Sequence, residues 1–164
     1  MAQGDMFLKI ESAKQGPIKG EAQDQKHKDE IDVLSWSWGM AAKSALAGSG
    51  PSSKASLHEL TIVKSVDSAS TGLMSAMRNN DLIKKAVLTV RKAGATPHEY
   101  FKVTIEKGRI TALDVDAGDF PATGQVNERM SLAFQRISVE YVPQGPDGQP
   151  KGGMLFDAEI EAPA

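Results

Sequence analysis

Glu30-Ile31-Asp32-Val33-Leu34-Ser35-Trp36-Ser37-Trp38-Gly39-Met40 is the run on which the reading of this chain turns. Ile31 and Val33 fall in one phase of period two, while Leu34, Trp36, Trp38 and Met40 fall in the other. A strand with one buried face keeps its apolar residues in a single phase, because successive side chains point to opposite sides. It changes phase only through a bulge or by crossing between two packed layers. A second run behaves in the same way: Met130, Leu132 and Phe134 alternate in one phase, then Ile137, Val139 and Tyr141 in the other. Two long strands that bend in mid-course predict a mainly β fold, a closed or nearly closed small barrel of mostly antiparallel strands.

Working outward, Asp5 to Ile10 reads as a first strand, and Ile18 to Ala22 can hold a short one. Residues 55–66, 85–92, 99–107 and 109–115 are further candidates, rich in Val, Ile and Thr. Lys107-Gly108-Arg109 reads as a hairpin turn between two of them, and Pro146-Asp147-Gly148 as another before a last strand near Met154 to Ile160. One short flanking α-helix is expected, capped by Asp67, Ser68 or Ser70, with Leu73, Met74 and Met77 on its packing side and Asn79-Asn80 ending it in a left-handed residue. Residues 41–54, small and rich in Gly, Ser and Ala, read as a long loop, of a length that is usually either functional or disordered.

The chain of 164 residues fits one domain, 1–164, long enough for a core of its own. It contains no cysteine, which excludes disulfides, thiolate metal sites and thiol nucleophiles. Nineteen basic residues face twenty-one acidic ones, a balance that argues against nucleic acid as a partner. No apolar run approaches a membrane span and the first residues lack the pattern of a secretory signal, so the expectation is cytoplasmic synthesis with no membrane partner.

Chemistry-bearing patterns are sparse. His27, His58 and His98 lie far apart without ligand spacing and read as surface residues, and Gly48-Ser49-Gly50 lacks the Gly-Lys-Ser/Thr of a phosphate loop. Asp114 and Asp116 share one strand face, as a catalytic pair would, but a solvated face explains them equally. No serine lies in a nucleophile elbow. No catalytic residue, metal ligand or cofactor is therefore assigned, and the chain does not read as an enzyme. Trp36 and Trp38 can act either as a stacking platform or as core; their phase with Leu34 and Met40 favours core. The same alternation sends Ser35 and Ser37 to the opposite face.

Asp5-Met-Phe-Leu-Lys-Ile10, Gly20-Glu21, His27-Lys28 and the Trp-Ser-Trp strand, followed by Val90-Arg-Lys-Ala-Gly94 with Glu99-Tyr100 and Val139-Glu-Tyr-Val-Pro-Gln144 with Asp147-Gly148, resemble in order and spacing the haemolysin-coregulated proteins, the tube-forming proteins of bacterial type VI secretion. The resemblance covers nearly the whole chain, except residues 116–126 and the part after Pro150. It implies a small β-barrel of two sheets with one helix, hexameric rings that stack into a hollow tube, and a lumen able to carry effectors. The implied partners are further copies of the chain and the sheath, spike and effector proteins of the machine; the implied route out of the cell needs no signal peptide. In that family the Trp strand lines the ring's interior, which makes Ser35 and Ser37 candidates for lumen contact. A loop after that strand reaches a neighbouring subunit, which makes Ala47, Gly48, Ser49, Gly50 and Pro51 candidates for ring contact. A carbohydrate or small-ligand module of β-sandwich type, using Trp36 and Trp38, is the alternative, and a hydrolase using Asp114 and Asp116 a third reading.

Overall fold

A computed structural model describes residues 5–42, 55–92, 98–117 and 124–160. Twelve strands and one helix follow in chain order: β1 (Met6–Ser12), β2 (Gly16–Ile18), β3 (Ile31–Asp32), β4 (Ser35–Ser37), β5 (Met40–Ala41), β6 (Ser56–Leu57), β7 (Leu60–Ser65), α1 (Ser70–Arg78), β8 (Ile83–Lys92), β9 (His98–Ala117), β10 (Val126–Ala133), β11 (Arg136–Tyr141) and β12 (Met154–Glu159). All pairings are antiparallel. One layer places β2 and β3 beside β1, then β8, the first half of β9, β11 and β12. The other holds the second half of β9, then β10, β7 and β4.

Both phase changes are crossings between these layers. The Val33 N–H donates to Met6 O at 3.0 Å and the Leu34 N–H to Val63 O at 2.8 Å, so adjacent residues bond to opposite layers. Between β10 and β11 the chain crosses again, with Phe134 buried at the passage. Leu8, Ile10, Leu88, Val103, Ile105 and Ile137 from one layer meet Leu60, Ile62, Met130 and Leu132 from the other, all essentially inaccessible. Each such side chain contributes roughly 1.5–3 kcal/mol of burial. The ladder does not close: β3 and β4 are separate short strands, so the barrel is an open, two-layer one.

Residues 107–109 do not form a hairpin. β9 runs straight through them for 20 residues and bends there, carrying the chain from one layer to the other. Lys107 adopts a φ of 53°, and a Cβ at position 108 would lie 2.7 Å from Ala133 O. A glycine that marks a turn in the sequence also marks a place where another backbone comes too close for a side chain, and here the second meaning holds. The expected turn at 146–148 is present, with Gly148 at φ 81° and β11 and β12 paired on either side. The short strand expected at Ile18 to Ala22 lies two residues earlier, at Gly16–Ile18, and a Cβ at position 20 would lie 2.6 Å from Glu30 O.

Helix α1 stops where expected, with Asn80 at φ 54°. Its N-cap position is Ala69, which has no side chain to cap with; Asp67 Oδ1 accepts the Ala69 N–H at 2.9 Å instead. Ser70, Leu73 and Ala76 form its buried stripe, leaving Met74 exposed. The base of the expected long loop is ordered, because β5 and β6 pair Met40 with Leu57 and Ala41 with Ser56. Ala47, Gly48, Ser49, Gly50 and Pro51 lie outside the described residues.

Candidate functional site

The outward face of the second layer follows directly from register. Ile62, Met130 and Trp36 point inward, so their neighbours point out, and the cross-strand row Ser37, Thr61, Ser131, Ala112 is made of small side chains only. Thr61 and Ser131 bring their hydroxyls within 3.5 Å of one another. The next row is Ser35, Val63, Arg129, Asp114, and the one beyond joins Ser65, Asn127 and Asp116. Ser35 and Ser37 are thus exposed members of a hydroxyl-bearing sheet face that extends three strands beyond β4, further than the sequence alone indicated. Asp114 and Asp116 belong to the same open face, with Arg129 and Asn127 as their cross-strand neighbours. Both are exposed to solvent.

Trp36 and Trp38 are half-buried and pack against the rim of the core. Trp36 stacks on Phe101 at 5.6 Å between ring centroids, and Trp38 meets Phe156 at 6.4 Å in a tilted arrangement. Their phase partners Leu34 and Met40 are about half exposed, at 50% and 49%. The layer crossing accounts for this, since Leu34 stands at the corner where the chain leaves one sheet for the other.

Two charges stand where the alternation calls for apolar residues. Lys64 follows Leu60 and Ile62 in the inward phase of β7, and Glu128 precedes Met130 and Leu132 in that of β10. Both are fully buried and paired, Nζ to Oε2 at 2.6 Å, with Asp67 Oδ1 at 2.9 Å and Ser70 Oγ at 3.0 Å from the same ammonium. Ser70 Oγ also donates to Glu128 Oε2 at 2.7 Å. A serine beside a lysine can be a nucleophile, but with no access for a substrate this cluster ties α1 to the second layer. Opposite charges in the apolar phase of two strands were a signal available in the sequence.

Two histidines expected at the surface are buried. His27 stacks on Phe7 at 4.4 Å, with Nδ1 3.0 Å from Glu30 and Nε2 2.9 Å from Glu99; His98 Nε2 lies 2.8 Å from Val142 O. Arg91 covers the same Phe7 ring and binds Asp24 at 2.7 Å, which holds the Asp24 carboxyl down at about 2. These groups fasten segment 21–30 over β1. Among the described residues no three His, Asp or Glu side chains converge as a metal site.

The remaining unusual surface is β12. Among the described residues it is the outermost strand of its layer and pairs with β11 alone, and Met154 and Leu155 are about two-thirds exposed. Proteins that stay alone seldom leave a long apolar edge strand uncovered.

These features match known proteins. A family model described as "Type VI secretion system effector, Hcp" matches residues 7–141. Protein hcp1 of Pseudomonas aeruginosa is 35% identical over 152 residues, covering 91% of this chain and 90% of its own. Among solved structures, a type VI secretion system effector from Yersinia pestis superposes with a TM-score of 0.75 at 28% identity, over 95% of this chain and all of the other. Hcp1 from Salmonella typhimurium does so with 0.73 at 29% identity, over 95% of each. With the family model spanning both sheets and the helix, the chain belongs to the Hcp family of type VI secretion proteins.

Proposed function

We propose that the chain is a structural subunit of the type VI secretion tube, forming homohexameric rings that stack into a hollow, secreted tube whose lumen carries or chaperones effectors. The observation that carries this reading is the division of one small subunit into an uncovered apolar edge at β12 and a wide hydroxyl wall on the second layer. An edge with unpaired backbone groups and exposed Leu155 stabilises contact with a neighbour. A wall of Ser35, Ser37, Thr61 and Ser131 offers water-exchangeable hydrogen bonds and little apolar area, so cargo is held weakly and can leave. Ser35 and Ser37 contact the lumen in this reading, and Ala47, Gly48, Ser49, Gly50 and Pro51 contact the next subunit. The other partners are the sheath, spike and effector proteins of the machine, and export proceeds after cytoplasmic synthesis without a cleaved signal.

The subunit acts as a scaffold and not as an enzyme. The carbohydrate-module alternative has less support, since the rings of Trp36 and Trp38 are already engaged by Phe101 and Phe156. Ser37→Arg tests the lumen. The side chain is exposed, so stability should change by no more than about 0.5 kcal/mol, and native mass should not change. Effector recovered by co-purification should fall. Retention equal to the parent's would remove Ser37 from the channel.

A further inference from the structure

The two ends of the larger layer differ in charge. At the β2 end, a groove of about 440 Å3 runs between β1, β2 and segment 25–30, and Lys9, Lys19, Lys26 and Lys28 all open onto it. All four are exposed, and among the described residues none closes an ion pair. Asp29 and Glu30 also line the groove, but Glu30 is engaged by His27, so cationic character dominates. At the opposite end, β12 presents Asp157 and Glu159 on the same side of the strand as exposed Leu155. Asp157 is partly neutralised by Arg136 at 2.7 Å, whereas Glu159 has no such partner among the described residues.

We propose that the β12 edge of one copy docks at the lysine groove beside β2 of the next copy. The proposal rests on the ring reading above and names the two surfaces that meet. The order β2, β1, β8, β9, β11, β12 puts the basic groove and the acidic edge at opposite ends of one sheet. A surface of one sign at one end and of the other sign at the far end pairs head to tail, the heterologous contact that closes into a ring when the rotation permits. Complementary charge sets register and suppresses wrong pairings, such as edge to edge or groove to groove, while the apolar side chains of β12 supply buried area. The arrangement also gives the free ladder edge of β12 a cover.

Sedimentation velocity on the full-length protein tests this, with the parent, Lys26→Glu/Lys28→Glu, Glu159→Lys, and the three substitutions combined. All the substituted residues are exposed, and circular dichroism checks that each variant folds. The parent should sediment as a ring at micromolar concentration and loosen as salt rises from about 0.05 M to about 0.5 M, as screening shortens the range of the contact. Either reversal alone should raise the concentration needed for assembly by about tenfold or more, because like charges then oppose one another. The combined variant should recover most of that loss. A parent that forms rings while both reversed variants form them equally well would overturn the contact but leave the ring standing. Loss in both reversals without recovery in the combined variant would overturn the pairing of these two surfaces. A parent that is monomeric throughout would overturn the ring and the contact together.

Discussion

The hydroxyl wall of the second layer and the edge strand β12 are both open to solvent in a single subunit, yet their chemistry is opposite. Across the wall, Ser37, Thr61, Ser131 and Ala112 present short side chains on strands whose ladder bonds are made on both sides at β7 and β10. Along β12, Met154, Leu155 and Phe156 stand beside backbone groups that, among the described residues, have no ladder partner on one side. The wall has little to gain by being covered. The edge has both apolar area and hydrogen-bonding capacity to satisfy. In the proposed tube, adhesion falls to the edge and passage to the wall.

The largest expected effect lies beneath the wall. Glu128→Ala leaves the Lys64 ammonium buried without its closest partner, which should cost about 3–5 kcal/mol. Chemical denaturation followed by circular dichroism measures it; a loss under about 1 kcal/mol would mean that water or Asp67 takes over. Leu155→Asp separates the two surfaces most cleanly. At an exposed position it should change monomer stability by about 0.5 kcal/mol or less, yet sedimentation should show weakened assembly. An unchanged mass distribution would make the edge an ordinary surface. The smallest effect belongs to Asp24. Its carboxyl is held at about 2, below the ordinary 3.8, chiefly by the hydrogen bond from Arg91. The contribution is therefore full above pH 3.8 and is lost as pH falls through about 2. Asp24→Asn should flatten the acid limb of the stability curve between those values without altering neutral-pH assembly.

Much of this was legible in the sequence, and the reason lies in period two. The phase change at Val33 and Leu34 called for either a bulge or a layer crossing, as did the one between Phe134 and Ile137, and the structure has the crossing at both places. Gly108 misled because a single glycine serves a reversal and a bend equally well; only the approach of Ala133 O distinguishes them. The exposed face of Ser35 and Ser37 followed from the strong pattern of the tryptophans beside them. Thr61 and Ser131 were not legible in this way, since extending the wall beyond β4 depends on its pairing with β7 and on that of β7 with β10, the latter between residues 70 positions apart. Lys64 and Glu128 were readable in principle, each by its place in an apolar phase, but a charge in a strand is ordinarily assigned to solvent.

The proposed function requires that copies of this chain assemble. Native mass at micromolar concentration, by sedimentation equilibrium near neutral pH and moderate salt, tests it most directly. The account predicts a closed species of about six times the 17.5 kDa chain. A single species at the mass of one chain, unchanged as concentration rises, would contradict it.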